Sequence, residues 1–370
     1  MRSEFGNSLI FAIEGESHGE FVAGEIKGFH AGFRIDKTEL SAFMKRRQGG
    51  NSPFTTPRAE LDEPIFTSGV TVAENGDLVT DGENIVFHIV NGNKRSGDYS
   101  KFWDTPRPSH ADYTARMRYG DGIDLRGGGH FSARLTAPLC GMGGICRQWL
   151  EARGVRIGSH LSQVGNVADT RFDAVNCRET DILSVLSADF PTLSAEAGEA
   201  MISELTLAKE SGDSLGGVVE CIALGVPAGL GDPLFNGMEN RLSQLIFGLG
   251  GVRGIEFGTG FTASSMRGSV HNDPFIIDDG VIKTESNHCG GIQAGITNGM
   301  PVLYRVAFKP TASIAIPQKT VSLSKMTEET LVIGGRHDPC IAIRALPCVE
   351  AVMAIALFDA WVQKETESDF

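Results

Sequence analysis

The chain has 370 residues, of which 41% are hydrophobic and 21% charged, and its formal net charge is -13 at pH 7. This apolar content is enough for a large buried core, and the acidic balance excludes a broad surface for nucleic acid or an anionic membrane. Its seven cysteines form no C-x-x-C pair, which favours reduced thiols over a disulfide or zinc framework. No linker is evident, so we predict a single domain over residues 1–370 in a soluble, cytoplasmic protein without a metal.

The first predicted element is a strand at residues 8–14, which ends in the loop GESHG at 15–19. Loops at strand ends often carry reactive groups, although a lone histidine such as His18 is more often structural. Asp36 and Glu39 then predict a capping box for a helix that ends at Gly49. Cations in its last turn complement the helix dipole without any ligand.

Later elements alternate irregularly between strands and helices. The predicted strands are residues 85–90, 155–167, 217–224 and 302–308, and the predicted helices are 136–152, 195–209, 234–247 and 347–363. Pro138 falls in the first turn of its helix. The last helix is predicted to be amphipathic, and its apolar part is too short to span a bilayer. Without a regular βαβ alternation, the pattern favours an α+β layered sandwich with partly antiparallel sheets over a doubly wound sheet.

Residues 106–136 are the part of the chain densest in chemistry. They contain five arginines and two histidines, namely Arg107, Arg116, Arg118, Arg126, Arg134, His110 and His130. Three consecutive glycines, 127–129, precede a helical pattern, and such glycines let backbone N–H groups converge on an anion. A glycine-rich turn with surface arginines is the alternative interpretation.

Two further clusters follow later in the sequence. Lys309, Thr311 and Ser313 come directly after a strand and could bind a phosphate, although a plain turn is the commoner case. Arg336 could bind an anion while the carboxylate of Asp338 accepts or donates a proton. The alternative is that the two residues form a surface ion pair. Walker and dinucleotide fingerprints are absent from the sequence, as are spacings typical of metal ligands. The residues together suit a small polyanionic substrate.

An ordered series of motifs identifies a family. The motifs are GESHG at 15–19, RRQGG at 46–50, RPSHADYT at 107–114, RGGGHFSAR at 126–134, GDSLGGVVE at 212–220, RGIEFGTGF at 253–261, GGIQAGITNGMP at 290–301, FKPTAS at 308–313 and GRHDPC at 335–340. Through them the chain resembles chorismate synthase over nearly its whole length. The resemblance implies a β-α-β sandwich and a homotetramer. It also implies conversion of 5-enolpyruvylshikimate 3-phosphate to chorismate and phosphate, a 1,4-anti elimination that requires reduced FMN without net redox change.

The resemblance also assigns roles to individual positions. Those matching catalytic residues are His18, His110, Asp338 and Ser132. Those matching substrate-binding residues are Ser17, Arg47, Arg107, Arg134 and Arg336. Those matching flavin contacts are His130, Phe131, Ser132, Gly250, Gly251, Ala294, Lys309, Pro310, Thr311, Ala312, Ser313 and Arg336. By resemblance His18 assists the departing phosphate, His110 protonates the reduced flavin, and Asp338 and Ser132 help flavin N5 accept the C6 proton. NADPH is implied only indirectly, through a separate flavin reductase.

Three positions depart from the family pattern. Pro53 replaces a frequent arginine, His130 and Phe131 replace the start of the common R-S-S-A-R, and Leu135 replaces a usual glutamate. The loss of two cations near the site is expected to weaken flavin or substrate binding unless other residues compensate. The alternative function is a paralogue that binds FMN or a phosphorylated metabolite without turnover. Retained acids and bases at His18, His110 and Asp338 argue against it.

Overall fold

The computed structural model describes residues 1–50, 53–55, 61–74, 76–92, 101–334 and 337–368. The helices are α1 (Lys37–Lys45), α2 (Asp112–Tyr119), α3 (Thr136–Glu151), α4 (Glu179–Ser187), α5 (Ala195–Glu210), α6 (Met238–Phe247), α7 (Gly268–His271) and α8 (Ala342–Ser368). The strands are β1 (Arg2–Phe5), β2 (Ile10–Gly15), β3 (Phe21–Lys27), β4 (Arg34–Ile35), β5 (Ile65–Ser68), β6 (Val70–Val72), β7 (Leu78–Thr80), β8 (Ile85–Val90), β9 (Arg156–Val164), β10 (Val167–Ala168), β11 (Gly217–Leu224), β12 (Val252–Phe257), β13 (Phe275–Asp278), β14 (Val281–Thr284), β15 (Ile292–Gln293), β16 (Ile296–Thr297), β17 (Val302–Phe308), β18 (Gln318–Ser322) and β19 (Thr327–Leu331).

Two five-stranded sheets enclose a layer of helices. One sheet has the order β1-β2-β3-β8-β5 and the other β10-β9-β11-β17-β12, and the recorded pairs within both are antiparallel. Helices α3 and α8 lie between them, with α3 packed on β3 and β8 and α8 packed on β9 and β11. One continuous apolar cluster joins both sheets to these helices. This arrangement confirms the predicted α+β, β-α-β sandwich.

The two central helices approach each other unusually closely. A Cβ atom on Gly143 of α3 would lie 2.4 Å from Cβ of Ala351 on α8, so a larger residue at 143 would push the helices apart. Pro138 lies in the first turn of α3, as predicted, where its missing N–H costs no helical bond. The rigid pair of helices therefore depends on a glycine at the contact.

The prediction for the last helix was wrong in two respects. Helix α8 is longer than expected, and it is buried on nearly all sides rather than amphipathic. By length and composition it could cross a membrane, but 89% of its apolar window is buried inside this protein, which makes it a core helix. Two of its acidic residues belong to ion pairs in the core: Glu350 accepts hydrogen bonds from Arg46, and Asp359 accepts one from Arg241.

The other predicted elements agree with the structure to different degrees. Strands 85–90, 217–224 and 302–308 have the predicted bounds. The helix predicted at 234–247 begins only at Met238, because Leu234 has a φ of 57° and residues 234–236 form a separate 3₁₀ turn. Asp36 caps α1 through the amides of Thr38 and Glu39, but its own amide donates to Gln148 rather than to the capping-box partner.

Candidate active site

The three glycines at 127–129 form the centre of the site. All three have positive φ angles, of 62°, 91° and 54°, which L side chains rarely adopt. A Cβ atom on the first would lie 2.5 Å from Cδ2 of His18 and 2.8 Å from Oγ of Ser17. A Cβ on the second would lie 3.6 Å from Cε1 of His110 and 3.4 Å from Cβ of Ser132. The glycine loop, residues 127–129, therefore brings together four of the predicted site residues.

Backbone contacts hold the loop with His18 against this glycine loop. The amide of Ser17 donates to the carbonyl of Gly129 at 3.1 Å. The side chain of Asn91, at the end of β8, donates to the carbonyls of Glu16 and Gly19 at 3.1 and 3.0 Å. Ser17 and His18 are buried at 3% and 6% exposure. The strand end predicted to carry reactive groups is thus fixed from two sides.

His110 belongs to a compact group with an arginine and an aspartate. Arg107 donates to both carboxylate oxygens of Asp112, at 2.8 Å from Nε and 2.7 Å from a terminal nitrogen. Nδ1 of His110 lies 3.0 Å from Oδ1 of the same carboxylate. Burial raises the pKa of Asp112, but the hydrogen bonds from Arg107 and His110 lower it more, so the pKa lies well below its usual range. Asp112 is therefore an anion throughout the physiological range.

Two further predicted arginines share another buried carboxylate. Arg47 binds one oxygen of Asp62 and Arg134 binds the other. Arg134 also donates from Nε to Asn91 at 2.7 Å, which links it to the loop that carries His18. Nε of Arg47 is buried without a hydrogen-bond partner among the described residues. Because a buried donor without a partner is costly, this atom favours an acceptor supplied by a ligand.

The segment 309–313 reaches the same region. Nζ of Lys309 donates to the carbonyl of Ser109, the residue before His110. Burial lowers the pKa of Lys309, and the positive charge of Arg253 lowers it further. Two neighbouring cations suit an anion such as a phosphate. The Thr311 hydroxyl, which was predicted to contact the phosphate, instead donates to the carbonyl of Asp338 at 2.8 Å in this structure.

Asp338 lies at the edge of this network. Its carboxylate pairs with Arg344 at 3.0 Å, and Arg344 also donates to the carbonyl of Arg47 at 3.0 Å. Burial lowers the pKa of the adjacent His337, and the nearby Arg107 and His110 lower it further. Residues 337–338 therefore lie beside the His110 group. Arg336 lies outside the described residues.

The positions that depart from the family pattern have partners within the protein. His130 lies 2.8 Å from the carbonyl of Gly15 and 2.9 Å from the Ser3 hydroxyl, so both of its ring nitrogens are engaged. Leu135 is buried in the core. The carbonyl of Pro53 accepts a hydrogen bond from Lys209 on α5 at 3.0 Å. These three residues support the fold around the site.

The predicted flavin contacts are only partly brought together. A Cβ on Gly250 would lie 3.9 Å from the carbonyl of Phe131, whose ring is 41% exposed. Gly251 accepts the amide of Lys309 at 2.9 Å. Ala294, with a φ of 51°, lies in the β15–β16 hairpin, whose next residue, Gly295, packs against the start of α6.

Four residues of this network were missed by sequence reasoning: Asp62, Asp112, Arg253 and Arg344. Asp112 stands two positions after His110 in the same motif, so its proximity was a usable signal. Arg253 opens one of the quoted motifs. Asp62 carries no such signal, because Arg134 is 72 positions away, and Arg344 lies six positions after Asp338 but outside the quoted motifs.

Comparisons with known proteins identify the family of the chain. A family model described as chorismate synthase matches residues 9–362. A chorismate synthase of Lancefieldella parvula is 40% identical over 369 residues, covering 97% of this chain and 96% of the relative. One of Thermococcus gammatolerans is 40% identical over 361 residues, covering 97% and 98%. A solved crystal structure of chorismate synthase matches with a TM-score of 0.75 at 27% identity, covering 97% of this chain and 93% of that one.

Proposed function

The chain belongs to the chorismate synthase family, and from that membership we propose that the residues around the glycine loop carry out the family's reaction. The protein is a lyase of the shikimate pathway that converts 5-enolpyruvylshikimate 3-phosphate to chorismate and phosphate. The family match does not favour the non-catalytic paralogue. The observation that carries the proposed site is that His18 and His110 lie beside two consecutive glycines, at which a Cβ atom would be 2.5 Å from His18 and 3.6 Å from His110.

Arginines bind the substrate, which has two carboxylates and a phosphate. Guanidinium groups match such anions in a bidentate way. Those of Arg47 and Arg134 share the carboxylate of Asp62, and that of Arg107 lies 3.0 Å from Nδ1 of His110. The buried Nε of Arg47 supplies a donor that an anionic oxygen satisfies. Ser17 adds a hydroxyl beside His18, and Arg336 is proposed as a fourth cation from the sequence.

The proposed proton transfers use two histidines, an aspartate and a serine. His18 donates a proton to the oxygen of the departing phosphate, since a protonated leaving group carries less negative charge. His110 offers Nε2 toward the glycine loop, because its Nδ1 faces Asp112. Asp338 and Ser132 take part in moving the proton removed from C6 of the substrate. The reaction thus uses groups from four separate segments, which only the fold brings together.

Reduced FMN fits the residues present. Lys309 and the neighbouring Arg253 hold its phosphate, together with the turn 310–313 that contains Pro310, Thr311, Ala312 and Ser313. Gly250, Gly251 and the segment 130–132 offer close backbone approach to a planar ring, and Ala294 is retained as a proposed contact. When bound, reduced FMN supplies a redox centre that the elimination leaves unchanged overall. NADPH serves only through a separate reductase.

An anaerobic assay tests the proposed function. Purified protein, substrate and dithionite-reduced FMN are expected to give chorismate, whereas oxidised FMN with NADPH is expected to give none. His18→Ala and His110→Ala are each expected to slow turnover by roughly 10²- to 10⁴-fold at saturating reduced FMN. Circular dichroism checks that both variants fold. A loss below threefold in both variants would remove these histidines from the mechanism.

We also propose that the protein is a cytoplasmic homotetramer. The contact between its subunits is proposed to lie on a surface away from the active site. The hairpin β13–β14 exposes Phe275, Ile277 and Ile282 at 65%, 80% and 66%, and its register places all three side chains on one face. Such an apolar face is typical of a contact with another copy of the chain. Ile277→Asp is expected to yield smaller assemblies in analytical ultracentrifugation, whereas Lys283→Ala on the opposite face leaves the mass unchanged. A tetramer that survives Ile277→Asp would exclude this hairpin as the contact.

A further inference from the structure

Asp112 is a buried carboxylate near the site, and both of its oxygens are engaged in hydrogen bonds. Its Oδ2 accepts the amide and Nε of Arg107, at 3.0 and 2.8 Å. Its Oδ1 lies 2.7 Å from a terminal nitrogen of Arg107 and 3.0 Å from Nδ1 of His110. The residue is 4% exposed. A carboxylate so enclosed cannot reach a substrate, so any effect on the reaction must pass through its neighbours.

The distances limit how His110 holds its proton. The terminal nitrogen of Arg107 is also 3.0 Å from Nδ1 of His110, so a bond from Arg107 to an unprotonated Nδ1 is geometrically possible. That arrangement would direct the lone pair of Nδ1 at the anionic Oδ1 of Asp112, which is repulsive. A proton on Nδ1 instead gives a charge-assisted hydrogen bond to Oδ1. Both donors then converge on one oxygen, which explains why they lie close together.

We propose that Asp112 is a positioning residue that keeps neutral His110 in the Nδ1–H form, so that Nε2 takes up a proton from the site and then passes it on from the imidazolium, which Asp112 stabilises. The inference rests on the proposed role of His110 as a proton-transfer group. Nε2 lies on the side of the glycine loop, where a Cβ on Gly128 would be 3.9 Å away. An imidazole oriented by a buried carboxylate in this way presents one nitrogen for proton transfer, as in hydrolase triads.

The other charged groups around His110 do not provide this orientation. Lys309 donates to the carbonyl of Ser109, not to the imidazole. Burial lowers the pKa of the nearby His337, so it is neutral near pH 7 and supplies no charge to orient the ring. Arg107 is itself fixed by Asp112. Asp112 is therefore the anion that both orients the ring and neutralises its arginine neighbour.

Turnover in a double-mutant cycle tests whether Asp112 acts through His110. Asp112→Asn alone is expected to lower kcat by roughly 10²- to 10³-fold, because an amide no longer enforces the tautomer. In the His110→Ala background the same substitution is expected to lower kcat less than about threefold, since the residue it orients is gone. An equal loss of kcat in both backgrounds would overturn the proposal. Asp112→Asn can also disturb Arg107 and so weaken substrate binding. That effect changes KM, and the cycle compares kcat.

A spectroscopic measurement tests the tautomer without any reaction. In protein labelled with ¹⁵N-histidine, at a pH where the ring is neutral, the His110 nitrogens are expected to report Nδ1–H in the wild type. The signals are assigned by their loss in His110→Ala, and Asp112→Asn is expected to shift them toward Nε2–H. Asp273→Asn is the matched control, because Asp273 lies 3.2 Å from Nδ1 of His288 elsewhere. It should leave the His110 signals unchanged.

The two measurements separate the possible failures. An Nε2–H form in the wild type would overturn the inference even if Asp112→Asn failed to fold. An Nδ1–H form that persists in folded Asp112→Asn would overturn it as well. If His110→Ala retained normal turnover, the proposed role of His110 would fail, whereas the nitrogen signals would still decide whether Asp112 sets the tautomer.

Discussion

Arg46 and Arg47 are adjacent in the sequence but belong to two different regions of the molecule. Arg46 points into the helical layer, where two of its nitrogens bind the two oxygens of Glu350 at 2.6 and 2.7 Å. Arg47 points toward the glycine loop, where it shares the carboxylate of Asp62 with Arg134. Ser159 completes the first pair by donating to Glu350 at 2.7 Å. Arg46 therefore binds both oxygens of one carboxylate, whereas Arg47 and Arg134 each bind one oxygen of the same carboxylate.

This difference distinguishes a structural ion pair from a binding site. In the core, Arg46 and Glu350 satisfy each other bidentately, so an added ligand has little to offer them. Near the glycine loop, Arg47 keeps a buried Nε with no partner among the described residues, and each oxygen of Asp62 serves a different guanidinium. An anionic substrate completes such an arrangement. We therefore expect substitutions in the two regions to affect different measured quantities.

The largest expected effect is on stability, in the core. Glu350→Gln keeps the shape of the side chain but leaves the buried charge of Arg46 without an anion. Removal of one partner of a buried ion pair costs several kcal/mol, so we expect the free energy of unfolding to fall by about 3 kcal/mol. Urea denaturation at fixed protein concentration measures it. The exposed pair of Arg156 and Glu179 is the control, and Glu179→Gln is expected to change stability by less than about 0.5 kcal/mol.

The pH dependence of stability tests the same core ion pair. Burial raises the pKa of Glu350, but the charge and hydrogen bonds of Arg46 lower it more, so the pKa lies below its ordinary value. A lowered folded-state pKa contributes stability above the unfolded pKa of about 4.3, and this stability is lost as the pH falls below it. The wild type should therefore lose more stability than Glu350→Gln on acidification from about pH 5 to pH 3. If the free energy of unfolding of the two proteins fell in parallel with pH, Glu350 would contribute nothing to the pH dependence of stability.

The sequence predicted the outer framework better than the helical layer. Strands 217–224 and 302–308 have the predicted bounds because each is a mostly apolar run, with one charged residue, between glycine or proline residues. Helix α8 was expected to be amphipathic, and its apolar stretch contains Glu350 and Asp359. Their partners are distant in sequence: Arg46 is 304 positions from Glu350. Only the tertiary fold shows that the two charges are paired in the core.

The site was predicted in a similar way. Motif resemblance identified the histidines and arginines, and the structure gathers His18, His110 and Ser132 around the glycine loop. Motif resemblance did not identify Asp62, whose partner Arg134 is 72 positions away, and it passed over Asp112 although this residue stands two positions after His110. The assignment of roles at individual residues, and of residues 1–370 as one domain, stays a prediction.

The next largest effect is expected in the site, on substrate binding. Arg134→Ala removes one of the two cations on Asp62 and is expected to raise KM by about 10- to 100-fold, because hydrogen bonds to charged groups contribute about 1.5–3 kcal/mol. Steady-state kinetics with reduced FMN measures it. Arg126→Ala in the same segment is the control, because Arg126 pairs only with the nearby Asp124 among the ion pairs recorded for it. An unchanged KM in Arg134→Ala would place this arginine with Arg46 as a structural residue.

The smallest expected effect concerns Lys309, which is more exposed than the buried arginines. We infer that Lys309 and Arg253 bind the flavin phosphate. Burial lowers the pKa of Lys309 and the nearby charge of Arg253 lowers it further, and two such neighbouring cations favour an anion between them. Lys309→Ala is expected to weaken binding of reduced FMN by about tenfold, a modest value because solvent screens a partly exposed charge. Riboflavin, which lacks the phosphate, should bind the variant and the wild type equally. Anaerobic titration calorimetry compares the two ligands, with Lys319→Ala on β18 as an exposed control. Equal weakening of both ligands would mean that Lys309 supports the ring or the fold, and that the phosphate binds elsewhere.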